Sequence, residues 1–447
     1  MTRSYDVVVA GAGMAGILTA LGLTARGARV LLVEERRLGG GQSGQSHGYL
    51  HRGYAFGPNE PRLPLLFERA RDHWDALTAG LTPVTPGSVV SFSNPDASRR
   101  AQEHWQASGL PVRPVEPPPW LGDGFVSSFR SEEETYDFGP VLRCLGERTA
   151  ATGIDLARGS ISRTADEPGG VLSEFVRPDG TTETIASRAV VVAAGAGAPG
   201  ILARSGLPPV VRCRKSFMLV LRGHLPVISA VFPEREEHGL FVAGRTGHES
   251  GTTWLVSDFQ SFDSARGAGG QLAGWWAHRV LSTLRGVVRP GPLAGVRLIS
   301  GYAAVKSGLL PSSGTVADEF SHDFLGGRAV VVSPSKLTLA PLAAESAVKS
   351  VSAVLGIPFT GVEWDRVTVP VSPSVSTTLT TPALSSPPTS VSPSPPAPAS
   401  PPGPAAADSV LVSSAGELWE TDLHALKDPD LLGDLPGIAA LSSLYAH

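Results

Sequence analysis

Residues 6 to 34, from Asp6-Val-Val-Val-Ala-Gly-Ala-Gly-Met-Ala-Gly16 to the acid at Glu34, constrain this chain more than any other stretch. An apolar run leads into three glycines, a helix-forming segment and a second apolar run closed by an acid. That is the order of a nucleotide-binding strand-helix-strand unit. In such a unit Gly11 makes the tight turn, Gly13 lets the backbone approach a pyrophosphate, and Gly16 lets the helix pack on the sheet. Phosphates rest on the free amides at the helix start, those of Met14 and Ala15. Glu34, with Glu35 next to it, stands at the spacing where a carboxylate accepts hydrogen bonds from a ribose diol. The alternative is a glycine loop arising by chance, and it requires five features to fall in this order by accident.

At 447 residues the chain can bury one large core or two interleaved domains. A net charge of -4 gives no electrostatic reason to expect nucleic acid as a partner. No cationic run precedes the first apolar stretch, which carries the glycines and so reads as a buried parallel strand instead of a signal peptide. No apolar segment is long enough to cross a bilayer, so no membrane partner and a cytoplasmic location are expected. Cys144 and Cys213 lack metal-ligand spacing and cannot make a disulfide framework; they read as small core residues, and no metal is expected. The five lysines, Lys215, Lys306, Lys336, Lys349 and Lys427, are few enough for each to invite a question.

Residues 39 to 57 are dense in glycine and small polar groups and can lie flat against a ligand. Leu66, Ala70, Trp74 and Leu77 recur at helical spacing within 62–79, and a shorter helix is predicted near 97–107. A helix over 139–152 ends at Gly153, and 159–164, 171–177 and 182–186 read as an antiparallel meander. Next comes the buried strand from Ala189, running into a second small-residue turn at Ala194 and Gly195. Strands are expected at 215–223, 227–232, 238–244 and 252–258, then a helix near 268–285, an apolar run at 328–333 and a helix at 338–354. Nucleotide-binding strands at the start, middle and end imply two domains threaded through each other. From 371 to 407 the chain is mostly Pro, Ser, Thr and Ala, with no charge and no aromatic residue, a composition that cannot offset its own conformational entropy and predicts a disordered linker. The tail 408–447, with Leu418, Trp419, Leu423, Leu426, Leu431 and Leu432, could add a short helix.

Three further segments carry a resemblance: Gln42-Ser-Gly-Gln-Ser-His-Gly-Tyr-Leu-His51, Val190-Val-Val-Ala-Ala-Gly195 and Lys336-Leu-Thr-Leu-Ala-Pro341. Together with the first unit they make residues 5 to 356 resemble the FAD-dependent D-amino-acid-oxidase superfamily, which includes glycine and sarcosine oxidases and L-2-hydroxyglutarate oxidases. The resemblance implies bound FAD and an α/β fold. A Rossmann-like FAD-binding domain (1–60, 139–205 and 325–365) would be interleaved with an α+β substrate domain (61–138 and 206–324), whose antiparallel sheet covers the flavin. It implies that Gln42, Ser43, Ser46 and Gly48 pass beside the isoalloxazine ring. Lys336, Leu337 and Thr338 would meet it at a helix start, where amides stabilise negative charge on the reduced ring. Two departures stand out. Gly197 replaces a common Trp, and Thr252-Thr-Trp-Leu-Val256 lacks the lysine that sarcosine-oxidase-like members hold above the flavin, which leaves reactivity with oxygen open.

Each candidate has a plainer reading beside it. Lys336 matches a lysine that holds the substrate carboxylate in amine-oxidising members, or is a solvated lysine at a helix start. His47 and His51 are proton carriers, covalent flavin attachment points or ordinary loop residues. Arg245 is a carboxylate clamp or a surface arginine, and Lys306 reaches the flavin edge or lies on the surface. Tyr54, Trp254 and Tyr302 line the substrate pocket or belong to the core. Glu132 to Glu134 read as a solvated run. The leading expectation is oxidation of a C–N bond of an amine or amino acid by hydride transfer to flavin N5, with oxygen or another electron acceptor. The alternative is oxidation of a 2-hydroxy acid, whose hydroxyl proton needs a base such as His51. A second alternative is a dinucleotide-binding protein without catalysis.

Overall fold

The computed structural model describes residues 4–56, 62–233, 239–246, 251–260, 262–263, 269–310, 320–362 and 421–422. The apolar run Tyr5–Ala10 lies in the middle of a mostly parallel sheet. A strand with no polar face must be covered from both sides, which is where parallel sheets occur. Val30–Glu34 pairs with it on one side and Thr182–Val192 on the other, both parallel. Asp155–Arg158 extends the sheet past Val30–Glu34, and Ala329–Val332 extends it past Thr182–Val192. Ser321–Phe324 closes that edge in antiparallel sense. Helices Met14–Thr24, Phe138–Ala151 and Ala340–Leu355 bury their apolar sides on one face. The other face packs against strands Ser160–Glu167 and Gly170–Val176 and helix Ala198–Arg204.

The segments expected at 182–186 and from 189 are one strand. Its first half is exposed or alternating and pairs with Gly170–Val176; its second half is buried throughout and enters the parallel sheet.

The second sheet runs in the order Thr421–Asp422, Arg297–Leu309, Val211–Gly223, Thr252–Ser257, Leu240–Thr246, Ser229–Phe232, Ser88–Phe92, Ser127–Ser131 and Pro114–Val115. Every pairing is antiparallel except that of Ser229–Phe232 with Ser88–Phe92. Phe217, Trp254, Trp276 and Leu281 are among the side chains buried beneath it. Helix Pro95–Ala107 begins at Asn94, whose Oδ1 accepts from the amides of Asp96 and Ala97, which explains why the helix starts before the residues expected. Arg297–Leu309 has no counterpart in the sequence reading: Gly301, Gly308 and four alanine or serine positions interrupt its apolar alternation. It is nonetheless the long partner of Val211–Gly223 and carries Tyr302 and Lys306.

The fold is α/β, a Rossmann-like parallel sheet beside an antiparallel one. No helix among the described residues is long and apolar enough to cross a membrane. The linker at 371–407 lies outside the described residues, as does the tail except for Thr421–Asp422, which form a strand and not a helix.

Candidate active site

The glycine turn leaves no room for a side chain at Gly11 or Gly16. Gly11 has φ of +101°, and a Cβ there would come 2.6 Å from the Ala193 carbonyl oxygen; one on Gly16 would overlap the Gly11 carbonyl. Beside Gly13 a Cβ would meet the Ser43 hydroxyl at 3.3 Å. Ser43 Oγ accepts from the Met14 amide at 2.9 Å, so the 39–48 loop is tied to the start of the helix that contains Ala15. The Glu34 carboxylate accepts from the amides of Ala12 (2.8 Å) and Arg36 (3.0 Å), which fixes it at the mouth of the turn, while Glu35 is exposed. The second turn abuts the first: the Ala193 amide donates to the Ala10 carbonyl, and Ala194 and Gly195 follow directly.

The loop then passes between the sheets. Gln42 Oε1 accepts from the amide (3.0 Å) and hydroxyl (3.2 Å) of Ser307, whose Oγ in turn accepts from the Ser333 hydroxyl at 3.0 Å. Ser46 Oγ accepts from the Gly48 amide. Gly48, at φ of +82°, lies so close to the Tyr136 carbonyl and the Arg245 guanidinium that no side chain fits.

Five of the charged or titratable candidates converge on His47. Arg245 Nη2 donates to the His47 carbonyl at 2.6 Å, and the Tyr302 hydroxyl donates to Gln45 O at 3.3 Å. The His47 ring centroid is 4.8 Å from Phe241, 5.3 Å from Tyr49 and 5.7 Å from His51. Burial, followed by the positive charges of His51, Lys306, Arg245 and Lys336, holds His47 well below the ordinary histidine value, so it is neutral at pH 7. Lys336 Nζ sits 4.8 Å above the Phe56 ring, itself 5.3 Å from His51. Burial also lowers Arg245, and its Nη1 has no hydrogen-bond partner. Tyr302 is pushed up by burial.

Lys306 is lowered to about 8, first by burial and then by the charge of Lys336. The folded chain therefore sheds this proton before the unfolded chain does. In wild type, stability rises with pH from about 8 towards the ordinary lysine range, and below 8 the charged lysine is a cost. Lys306→Met is expected to raise the melting temperature by roughly 2–4 °C at pH 7, with the gain shrinking as pH passes 8. Melting curves from pH 6 to 10 check this, and a pH-independent gain would contradict it.

One expectation is corrected. Glu133, taken with its neighbours as solvated, is fully buried. Its Oε1 accepts from the amides of Arg52 (2.9 Å) and Gly53 (3.1 Å) and lies 3.7 Å from His51 Nδ1. Glu132 instead pairs with Arg52 and Arg113. The signal that could have found Glu133 is the short antiparallel pair Tyr49–Leu50 with Glu134–Thr135, visible only once the two strands meet.

Thr338 Oγ1 accepts from the His51 amide at 3.0 Å, and its carbonyl accepts from Trp74 Nε1 at 2.7 Å, so Leu337 and Thr338 at the helix start are seated against the loop. His51, Thr338, Arg52, Arg71, Arg113 and Glu132 border an open groove of about 540 Å³. Two candidates are not gathered here. Tyr54 is buried against Trp105 with its hydroxyl on Pro111 O, and Trp254 is buried with its indole N–H on Pro226 O. Both belong to the apolar core of the second sheet.

A family model described as FAD dependent oxidoreductase (DAO) matches residues 6–347. The fold is similar to glycine oxidase from Geobacillus kaustophilus (18% identity, 80% of this chain and 97% of that one, TM-score 0.64). It is also similar to iminodiacetate oxidase from Chelativorans sp. BNC1 (19%, 79% and 96%, 0.62) and to L-proline dehydrogenase from P. horikoshii (14%, 80% and 95%, 0.62). No curated protein matches by sequence. The glycine turn closed to side chains at Gly11 and Gly16 and the Glu34 carboxylate at its mouth fit a dinucleotide cofactor. The chain belongs to the FAD-dependent oxidoreductase family typified by D-amino-acid oxidase, and its cofactor is FAD.

Proposed function

We propose that the enzyme oxidises the C–N bond of an amine or amino acid that bears a carboxylate. The observation that carries this reading is the convergence of Lys306, Lys336 and Arg245 on the His47 region. Such surroundings attract a carboxylate and disfavour a neighbouring ammonium, so the substrate nitrogen is held as the neutral amine. A neutral nitrogen has the lone pair that expels a hydride from the adjacent carbon. By their names, the glycine, iminodiacetate and proline enzymes that share this fold also act on amines bearing a carboxylate.

Bound FAD supplies the two-electron acceptor for the hydride. Gly11, Gly13, Met14, Ala15, Gly16 and Glu34 would hold its adenosine and diphosphate part, with Gln42, Ser43, Ser46, Gly48, Ala194, Gly195, Lys336, Leu337 and Thr338 along the remainder. Lys336 and Arg245 hold the substrate carboxylate, Phe56 and Phe241 exclude water, and His51 takes the proton that leaves the substrate nitrogen. Oxygen or another acceptor would take the electrons from FAD when it is bound. Oxidation of a 2-hydroxy acid is the second reading, favoured by the buried carboxylate of Glu133 facing His51, because an alcohol needs a base.

Anaerobic mixing with amines, amino acids and hydroxy acids, followed at the flavin absorbance, decides between them. Bleaching by amines and not by hydroxy acids is expected, and bleaching by hydroxy acids alone would overturn the proposal. Admitting air and assaying peroxide then identifies the acceptor. Lys336→Met is expected to keep its flavin and bind acidic substrates about 10–100-fold more weakly, the loss of one charged hydrogen bond. Unchanged affinity in a substrate titration would remove Lys336 from the site.

A further inference from the structure

We infer that Glu133 is a positioning residue that orients His51 and steadies its charged form, so that the two act as one proton-accepting pair. The inference rests on the reading of His51 as proton acceptor. The strand register makes the pair: Tyr49 faces Thr135 and Leu50 faces Glu134, so the next position along each strand sets His51 opposite Glu133. His51 Nδ1 and Glu133 Oε1 are 3.7 Å apart, and both His51 Nδ1 and Glu133 Oε2 are buried without a hydrogen-bond partner. A fully buried carboxylate is costly unless hydrogen-bonded or paired. The Arg52 and Gly53 amides satisfy one oxygen, the Arg52 guanidinium is turned to Glu132, and the Tyr49 and Tyr54 hydroxyls, which also feel the Glu133 charge, donate to Val242 O and Pro111 O, so His51 is the basic side chain that faces Glu133.

Aromatic rings pack around the rest of the His51 ring, while Glu132, Glu134 and Asp75 border the same groove. The Tyr49 ring is stacked on His51 at 5.6 Å, with Phe56, Phe67 and His47 at 5.3, 5.9 and 5.7 Å. Lys336 lies beyond Phe56, and the His51 backbone amide is bonded to Thr338. The two nitrogens of an imidazole point away from each other. With Nδ1–H turned to Glu133, Nε2 is left as the basic atom.

In the reaction the substrate N–H proton moves to Nε2 as the C–N bond becomes C=N; bound FAD would supply the acceptor for the C–H hydride and its two electrons. Glu133 keeps the Nδ1–H turned towards it. The proton then leaves His51 through the groove it borders, past Arg71 and Arg113 to water.

Glu133→Gln keeps an oxygen for the two amides and removes the charge. Flavin reduction at pH 7 is expected to slow about 10–100-fold with substrate affinity within twofold, and the acid limb of its pH profile to move lower, because the ring loses the carboxylate beside it. Imidazole nitrogen NMR of the FAD-loaded protein, with His51 signals assigned by their loss in His51→Gln, supplies a readout independent of turnover. The wild-type ring is expected as the Nδ1–H tautomer. An Nε2–H tautomer would overturn the inference even if Glu133→Gln failed to fold, and so would an unmoved His51 titration and pH profile in a folded Glu133→Gln. If hydroxy acids bleach the flavin and amines do not, the substrate proposal falls while the pair, read by NMR, stands.

Discussion

A Gly16→Ala chain is expected to purify almost colourless, with bound flavin at least about tenfold below wild type. A methyl group at this position overlaps the Gly11 carbonyl oxygen and comes 3.2 Å from Ala193 Cβ, so it presses on both glycine turns at once. Helix Met14–Thr24 cannot retreat, because it is buried along nearly its whole length and packs on helix Ala340–Leu355. Overpacking of this kind costs about 1–3 kcal/mol, and displacing the helix start also moves the Met14 and Ala15 amides off the diphosphate. The ratio of flavin to protein absorbance, after dialysis against excess FAD, checks this. A stoichiometric yellow protein would show that the turn does not hold the cofactor.

His51→Ala is expected to keep its flavin and lose about 10²–10⁴-fold in the rate of anaerobic flavin reduction, the usual contribution of a positioned base. The side chain is bonded to nothing that the cofactor turn depends on: the ring contacts Tyr49, Phe56, Phe67 and His47, while the backbone amide that ties it to Thr338 survives the substitution. Stopped-flow reduction with a fixed amine separates the outcomes. A rate within a few-fold of wild type would mean that the substrate proton goes directly to water and that His51 is a wall.

The first strand-turn-helix unit was legible because its constraints are local: Gly11, Gly13, Gly16 and Glu34 lie within thirty residues, and their spacing alone encodes the turn. The charged cluster was legible only one residue at a time. His47, His51, Arg245, Lys306 and Lys336 each carried a plausible chemistry, but what unites them is the packing of the two sheets against the 42–54 loop. Glu133 was hidden by its neighbours, since three consecutive glutamates look like a solvated run and only a cross-strand pairing separates the buried one from the other two. Trp254 and Tyr54 show the reverse case. Aromatic residues in a substrate sheet suit a pocket and a core equally well, and the hydrogen bonds to Pro226 and Pro111 were not predictable from spacing. Strand Arg297–Leu309 failed the alternation test because small residues serve where a strand runs close to another backbone.

The Gln42 amide group, bonded to Ser307 and through it to Ser333, joins parts of the chain made early and late in synthesis. Ala329–Val332 and the helix from Ala340 complete the sheet and its cover only after some three hundred residues have already left the ribosome. A nascent chain stopped before that point owns the glycine turn but lacks the far wall of its cradle, so the complete cradle exists only once the last part of the folded region has been made.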